Sequence, residues 1–339
     1  MKKTFDVVSI GGIVRDITFY TDKGRIIKTP DNLTAQKMIA FEYGAKINIF
    51  NTNYTLGGGA SNTAHVFSLL GLKTAIIARI GKDIEGELMM KKSKEDNIST
   101  DAVQIDSALH TGYSLILCSS KKEHDHVVYT YRGANENLVV DEKVMNPLDA
   151  KWYYISSMCG SNWLKTMKNI IVFAKKKNIK IAWNPGNLQL QAGRKNIEKI
   201  LKCVDALFLN KDEAIELVLS GVKIGKRDPA FLNKTLYLLH ILNEWGPKTV
   251  VITEGKKGAY ALRDDKVYKA KVVKKKVADT TGVGDAFGAS FVASMIEEPK
   301  NIERALRWGV VNSAYNLTKV GAQEGVLTRQ ELLEKVSKP

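Results

Sequence analysis

The chain has 339 residues, 44% of them hydrophobic and 8% aromatic, which is enough for a substantial core in one large domain or two smaller ones. The formal net charge is +15, but the lysines are scattered and no basic segment is interleaved with aromatic residues, which argues against a nucleic-acid partner. Three widely separated cysteines fit neither a disulfide framework nor a zinc site, and they indicate a reducing, cytoplasmic compartment. No segment has the length and apolarity of a transmembrane span or a signal peptide, so we expect no membrane partner.

Strand-like apolar runs alternate with helical patterns along most of the chain. This alternation predicts an α/β fold, in which a parallel sheet carries helices on both faces. We expect residues 1–339 to form a single domain, with two regions at about 15–56 and 113–131 that break the alternation. The predicted strands cover residues 7–10, 75–80, 152–155, 180–183, 206–209 and 250–253.

Two glycine-rich segments in the N-terminal part of the chain lead into polar side chains. Gly11 and Gly12 follow the first predicted strand, and Asp16 comes four residues after Gly12. The second segment begins at Gly57 and runs through Asn62 into an apolar helical pattern, without the lysine and hydroxyl residue of a P-loop. A solvated loop residue is the plain interpretation of Asp16.

The region at 113–131 contains two strand-like runs around a polar turn. His124 and His126 in this turn are a conceivable metal pair, but no third ligand is in view, so we favour a solvated turn. Without further information, this region and the one at 15–56 are interpreted as a pair of surface hairpins.

Two further segments place polar residues directly after predicted strands. Asn210 and Glu213 follow the fifth strand, and Thr253 and Gly255 come at the end of the sixth. Asn210 and Glu213 are also compatible with an ordinary helix start, because an acidic residue in the first turn is favoured by the helix dipole. The segment from Thr253 is equally compatible with a plain hairpin turn.

The segment from Asp279 to Asp285 places a carboxylate where a glycine loop becomes a helix. The apolar pattern that follows predicts a helix that begins within 282–285 and closes at 297–299. The first amides of a helix lack intrahelical partners and favour negative charge, so they can hold a phosphoryl group during transfer. Asp285 would repel a bound phosphate unless it accepts a proton, which favours a general base; an ordinary N-cap is the alternative.

Together, residues 57–64 and 279–287 resemble the paired signatures of the ribokinase-like (PfkB) family of carbohydrate kinases. The segments around Asp16, Asn210 and Thr253 extend this resemblance over nearly the whole chain. The resemblance implies a three-layer, doubly wound α/β fold with a mostly parallel sheet, and a small β-sheet lid built from 15–56 and 113–131. It also implies an ATP-dependent sugar kinase that uses Mg²⁺, and in some members K⁺.

The resemblance assigns a role to individual residues. In the transfer step, Asp285 is the general base and the amides of Gly282, Val283 and Gly284 form the anion hole. The implied sugar site is Asp16, Gly57, Gly58, Asn62 and Arg132; the nucleotide site is Asn210, Thr253, Gly255, Gly258 and Asn312; Asn210 and Glu213 hold Mg²⁺ through water, and Asp279 and Thr281 hold K⁺.

The sequence departs from the ribokinase pattern where the sugar is recognised. Val14 and Arg15 precede Asp16 where ribokinases have Asn-x-Asp, and the glycine cluster lacks the usual lysine. Ribose is therefore in doubt, and Arg132 fits a carboxylate or a further hydroxyl. Fructose, ribose, a 2-keto-3-deoxy acid and a nucleoside all remain open as the substrate. A non-catalytic sugar- or nucleotide-sensing protein is the alternative from another class, and a homodimer through the lid is compatible with the family.

Overall fold

The computed structural model describes residues 3–28, 37–118, 126–223 and 229–337. The predicted polar turn with His124 lies outside these residues. The strands are β1 (Lys3–Ile10), β2 (Val14–Tyr20), β3 (Arg25–Lys28), β4 (Lys37–Ala40), β5 (Asn51–Gly57), β6 (Thr74–Ile77), β7 (Arg79–Gly81), β8 (Gln104–Asp106), β9 (Gly112–Cys118), β10 (His126–Tyr131), β11 (Leu148–Ile155), β12 (Lys180–Trp183), β13 (Ala206–Asn210), β14 (Thr249–Thr253), β15 (Ala259–Arg263) and β16 (Lys266–Ala270). The α-helices are α1 (Gly59–Leu69), α2 (Ile84–Glu95), α3 (Glu142–Met145), α4 (Trp163–Lys177), α5 (Asn187–Gln191), α6 (Gly193–Leu201), α7 (Lys211–Leu219), α8 (Thr235–Glu244), α9 (Val283–Glu297), α10 (Ile302–Asn316) and α11 (Arg329–Val336).

Eight strands form the main sheet, in the order β16-β15-β14-β13-β12-β11-β1-β6. From β14 to β6 neighbouring strands are parallel, whereas β15 and β16 add an antiparallel edge. Five of the six predicted strands lie entirely in this sheet. The run predicted at 75–80 divides, because β6 ends at Ile77 and β7 pairs instead with β8 in a separate ribbon.

Helices cover both faces of the main sheet, since alternate side chains of its strands point to opposite sides. On one face, Tyr153 and Ile155 of β11 join a core with helices such as α4 and α8. On the other face, Tyr154 packs in a second core with α1, α9 and α10. The predicted three-layer α/β architecture is confirmed. No helix in the described ranges is long and apolar enough to cross a membrane.

A second, four-stranded sheet has the order β10-β9-β2-β5, and we call it the small sheet. Strand β2 is parallel to β9 and antiparallel to β5. The prediction of a small additional sheet is confirmed, and its strands come from the two regions that break the main alternation. Strands β3 and β4, from the first of these regions, pair with each other in a separate ribbon. The small sheet reaches the loop after α10, where a Cβ added to Gly321 would lie 2.7 Å from Cγ2 of Thr55.

Candidate active site

Asp16 lies on β2 of the small sheet, three residues after Ile13, and a buried asparagine holds the backbone at Ile13. The side chain of Asn135 accepts a hydrogen bond from the Ile13 amide (3.0 Å) and donates one to the Ile13 carbonyl (2.8 Å). These two hydrogen bonds hold the backbone between β1, in the main sheet, and β2, in the small sheet. Asp16 is buried, so the interpretation as a solvated loop residue is wrong. Burial raises its pKa, the Ser114 hydroxyl lowers it, and the charge of Asp279 raises it again.

The glycines at the end of β5 allow Asp16 and the first loop to come close. A Cβ on Gly57 would lie 2.0 Å from Oδ2 of Asp16, and one on Gly58 would lie 2.4 Å from the carbonyl oxygen of Gly12. Gly58 also has a φ of 90°, which side chains rarely adopt. The chain therefore needs glycine at both positions to bring the start of α1 against Asp16.

Asp285 is the third residue of α9 and faces α1. The Asn62 amide donates a hydrogen bond to Oδ2 of Asp285 at 2.8 Å, which joins the two glycine-rich segments. Gly282 occupies the N-cap position of α9, and no side chain caps the helix there. The interpretation of Asp285 as an ordinary N-cap is therefore wrong.

The environment of Asp285 suits a proton acceptor. The pKa of this carboxyl is raised to about 6: burial raises it most, the hydrogen bond from Asn62 lowers it, and the charge of Asp16 raises it. A base with a pKa near neutrality is ionised at physiological pH and still accepts a proton readily. Strong perturbation of a carboxyl in a cleft is typical of functional sites.

The turn before α9 is held in a single shape by Asp279. Its Oδ1 accepts hydrogen bonds from the amide (3.0 Å) and the hydroxyl (2.9 Å) of Thr281, and its Oδ2 accepts one from the Gly321 amide (2.9 Å). Gly282 has a φ of 73° and packs against Ala322. A Cβ on Gly284 would meet no heavy atom within 4 Å, so this position opens onto free space. The first amides of α9 border that space.

The predicted nucleotide residues meet at the carboxyl ends of β13 and β14, where Asn210 pairs with Thr253. Asn210 and Glu213 form a capping box: the Glu213 amide donates to Asn210 Oδ1 (2.9 Å), and the Asn210 amide donates to Glu213 Oε2 (2.8 Å). The helix-start interpretation is thus correct locally, and a role toward phosphate stays a prediction. Burial raises the pKa of Glu213, the bond from the Asn210 amide lowers it, and nearby carboxylates raise it.

The segment after Thr253 is a hairpin connection between antiparallel strands β14 and β15, as its plain interpretation proposes. Gly255 has a φ of 48°, and a Cβ there would meet nothing within 4 Å. Gly258 has a φ of 94°, and a Cβ there would lie 2.1 Å from the Ala270 carbonyl oxygen. Gly255 therefore faces open space, whereas Gly258 shapes the turn.

Sequence reasoning missed Glu254 in this hairpin. Burial alone would raise the pKa of Glu254, but hydrogen bonds from Lys211, Lys257 and Thr235 bring it to about 2. The ammonium groups of Lys211 and Lys257 lie 2.5 and 3.1 Å from Oε1. Glu254 thus ties the start of α7 to the hairpin and keeps two positive charges beside it.

Asn312 requires a correction. It is fully buried, its amide donates to the Ser290 hydroxyl (2.8 Å), and its Oδ1 accepts from the Leu327 amide (2.8 Å). Both ends of the side chain are used inside the core between α9 and α10. Asn312 is therefore a packing residue that cannot touch a nucleotide directly.

Arg132 is exposed at the start of the 3₁₀ helix Gly133–Asn137, close to the base of the small sheet. Its backbone carbonyl accepts a hydrogen bond from the side-chain amide of Asn135 at 3.1 Å. Among the described residues, no ion pair joins Arg132 to the neighbouring Glu136. A contact with substrate stays a prediction.

A cavity of about 400 Å³ lies between the small sheet and the segment before α9. Thr18 and Tyr20 line it from β2, on the same face of the strand as Asp16. The rings of Tyr20 and Phe50 are 6.3 Å apart at one side, and Asp279 faces them. The wall of the cavity is therefore partly aromatic, and it includes the segment from Asp279 to Thr281.

Residues 6–329 match the sequence model of the pfkB family of carbohydrate kinases. The chain belongs to this family. A ribokinase of Haemophilus influenzae is 30% identical over 311 residues, which cover 89% of this chain and 95% of that protein. An ATP-dependent 6-phosphofructokinase of Thermoanaerobacterium thermosaccharolyticum is 26% identical over 294 residues, covering 84% of this chain and 86% of that protein.

Solved structures show the same fold. The Arabidopsis thaliana ribokinase complexed with ribose and ATP matches with a TM-score of 0.79 at 18% identity, over 99% of this chain and 100% of that one. The Burkholderia thailandensis nucleoside kinase in complex with inosine matches with a TM-score of 0.76 at 16% identity, over 98% of this chain and 97% of that one. The family and fold predictions are confirmed, and the chain is a phosphotransferase with an alcohol group as acceptor.

Proposed function

We propose that this kinase transfers the γ-phosphoryl group of ATP to a hydroxyl group of a small sugar, with Asp285 as the general base. One observation carries the proposal: a carboxyl with a pKa of about 6 lies at the start of α9, hydrogen-bonded to Asn62 and next to Asp16. An acceptor hydroxyl between Asp16 and Asp285 meets both a polar anchor and a proton acceptor.

The transfer step follows from this placement. The acceptor oxygen forms a bond to the γ-phosphorus while its proton moves to Asp285, and the bond to the bridging oxygen breaks so that ADP leaves. The backbone amides of Gly282, Val283 and Gly284 stabilise the negative charge that develops on the transferring phosphoryl group. Removing one such preorganised donor typically costs a factor of about 10² to 10³ in rate.

We assign the nucleotide phosphates to the edge formed by Asn210, Thr253 and Gly255, with Gly258 shaping the hairpin. No cluster of three acidic, His or Cys ligands occurs in the described ranges. This fits Mg²⁺ held mainly by phosphates and water, with Asn210 and Glu213 as outer partners. When bound, Mg²⁺ neutralises charge on the phosphate oxygens.

We assign K⁺ to Asp279 and Thr281. Both oxygens of Asp279 already accept hydrogen bonds, yet a carboxylate has about four lone-pair sites, so the donor set can still take a cation. We further propose that the small sheet closes over the acceptor as a lid within a single domain, which would exclude water from the transfer. A cytoplasmic location and a homodimer stay predictions.

A nucleoside is the second candidate acceptor. The cavity lined by Thr18 and Tyr20 favours it, because Tyr20 and Phe50 offer aromatic rings on the strand that also carries Asp16 and on the segment before β5. A base attached to the sugar would have an apolar, stackable surface there. The likeness to a nucleoside kinase structure is compatible with this alternative at the level of fold.

Acceptor-dependent ADP release tests the proposal. Pentoses, hexoses, 2-keto-3-deoxy acids and nucleosides are compared with Mg²⁺ and ATP, with and without K⁺. A sugar or a nucleoside that raises ADP release well above the ATPase background supports the proposal and chooses between the two candidates. Binding of sugar and ATP without turnover for any acceptor would favour a non-catalytic sensor.

A further inference from the structure

Gln323 lies in the loop between α10 and α11 and is buried. Its Nε2 donates hydrogen bonds to Oδ1 of Asn62 (3.1 Å) and to the hydroxyl of Ser61 (3.0 Å). The opposite end of the Asn62 amide donates to Asp285. Gln323, Asn62 and Asp285 therefore form one chain of hydrogen bonds.

The chemistry of the three groups gives this chain a single direction. An ionised carboxylate only accepts hydrogen bonds, so Asn62 must turn its NH₂ group toward Asp285. The Asn62 carbonyl oxygen then points the other way and needs a donor. Gln323 supplies that donor. In the flipped amide, the Asn62 NH₂ group would face the Gln323 NH₂ group and the Asn62 oxygen would face the Asp285 carboxylate, and both contacts are unfavourable.

The same loop contacts the turn before α9. The amide of Gly321 donates to Asp279, and Ala322 packs on Gly282, where an added Cβ would lie 2.5 Å from the Ala322 Cβ. Three consecutive residues thus brace the anion-hole turn and the partner of the base. Residues 321–323 are far from α1 in the sequence, so only the fold brings them to this place.

We propose that Gln323 is a positioning residue for Asp285, which orients the Asn62 amide so that it always donates to the base. The inference rests on the proposed role of Asp285. It predicts that the Asn62 amide stabilises ionised Asp285 only while Gln323 holds it in this orientation. Gln323 itself touches neither the acceptor nor the reacting atoms.

Few charged or titratable groups face Asp285. Asp16 on β2 raises its pKa, and Tyr154 on β11 lies beneath α9, where burial and the charge of Asp285 raise the pKa of the phenol. Asn62 on α1 lowers the pKa of Asp285 through its hydrogen bond. No cation among the described residues contributes to this pKa, so loss of the Asn62 donor should be visible in it.

The test follows the Asp285 carboxyl directly by ¹³C NMR, in full-length protein labelled at the aspartate carboxyl carbon, with Asp285→Asn to assign the signal. Gln323→Met removes the donor and keeps the size of the side chain. Gln323→Glu replaces the donor with an acceptor once it ionises. We expect the pKa of Asp285 to rise in both variants, by about one unit or more in Gln323→Glu, where the added negative charge contributes as well. Gln323→Met is therefore the variant that decides, because it removes the donor without adding charge.

Gln189 provides a matched control. It is likewise a buried glutamine whose Nε2 donates a hydrogen bond, here to the Met158 carbonyl, and whose oxygen accepts one from the Gly186 amide, but no hydrogen bond links it to Asn62 or Asp285. Gln189→Met should lower the melting temperature without moving the pKa of Asp285. If Gln323→Met does not fold, Gln323→Asn, whose shorter amide cannot reach Asn62, takes its place.

Two results separate this inference from the proposed function. An Asp285 pKa within about 0.2 units of the parent in folded Gln323 variants would overturn the role of Gln323. Undiminished turnover of Asp285→Asn would overturn the role of Asp285 itself, whatever the Gln323 variants show.

Discussion

At the scale of single residues, Asp285 is surrounded by groups that make it a moderate base. Its direct partner is a neutral amide, and the nearest charge that acts on it is another carboxylate, Asp16. A lysine or arginine in place of Asn62 would keep Asp285 ionised to low pH and weaken it as a proton acceptor. The combination of burial and a neutral donor therefore favours proton transfer near physiological pH.

The pH dependence of turnover follows from this environment. Because the base must be ionised, kcat/KM should fall about tenfold per pH unit below pH 6 and be level above it, until another group titrates. The profile is measured with the acceptor found in the ADP-release screen, with the protein checked for folding at each pH. A flat profile through pH 6 would show that Asp285 does not titrate as proposed.

A variant of Glu213 tests whether this residue acts on the metal or on the sugar. Glu213→Gln keeps a side chain that can still complete the capping box with Asn210, but it removes a negative charge. We expect a higher Mg²⁺ requirement with little change in sugar KM. Glu216→Gln, on the exposed face of the same helix, is the control. An increase confined to sugar KM would place this motif on the sugar side.

Arg132 tests the edge of the acceptor site. Arg132→Ala should raise KM for the true sugar about tenfold or more, the loss expected for a charge-assisted hydrogen bond, with ATP KM nearly unchanged. Arg329→Ala, an exposed arginine at the start of α11, controls for the removal of a surface arginine. If Arg132 only occupies the surface, stability should change by under about 1 kcal/mol and the kinetics should stay as in the parent.

At the scale of elements, α9 combines two glycines with opposite surroundings. A Cβ on Gly284 would enter open space, whereas one on Gly288 would lie 2.1 Å from Oη of the buried Tyr154. Gly288 is therefore a packing requirement. Gly284 has no packing reason to be glycine, which fits a role in leaving room for the transferring group.

This contrast gives a prediction within one helix. Gly284→Ala should keep or raise the melting temperature, because alanine favours a helix, while lowering turnover by about tenfold or more. Gly288→Ala should destabilise the fold by about 1 to 3 kcal/mol through overpacking. Thermal melting and steady-state kinetics of both variants decide the matter. Unchanged turnover of Gly284→Ala would show that the open space is not used.

Elements with strong local patterns could be predicted from the sequence. Strand β12 and helix α9 lie where the apolar runs place them, because continuous apolar residues and a clear breaker identify each element locally. The strands β15 and β16 were not predicted. In β16, the exposed Lys266 and Lys269 resemble a surface loop, and β15 adjoins β16 across a turn. Likewise, Asn312 cannot be recognised as buried from its neighbours, because its partners Ser290 and Leu327 come from other parts of the chain.

At the scale of the whole molecule, the site exists because the sheet order brings distant segments together. Strands β1 and β11 are neighbours, so the loop after β1, helix α1 and helix α9 meet above their carboxyl ends, where ligands bind in open α/β sheets. The paired glycine segments predicted this meeting through a family resemblance. Gln323 escaped sequence reasoning, because nothing in its own segment indicates a partner on α1.

Positive charge is distributed over the surface of the molecule. Several lysines pair singly with acidic residues, as Lys151 does with Asp6 and Lys248 with Asp205, both at 2.7 Å. Lys211 and Lys257 differ from the others in their position, because Glu254 holds their ammonium groups beside the proposed binding site of the nucleotide phosphates. The net charge is thus suited to a general attraction of anionic nucleotides.

The most direct test of the central claim compares turnover, ATP affinity and melting temperature of Asp285→Asn with those of the parent. Asp264→Asn, in the exposed turn before β16, is the control. Because the folded state raises the pKa of Asp285, its ionisation opposes folding as pH rises through about 6, so the asparagine variant should melt at the same temperature or higher at neutral pH. Turnover should fall by about two orders of magnitude or more while ATP still binds. Turnover within a few-fold of the parent would contradict the assignment of Asp285 as the base.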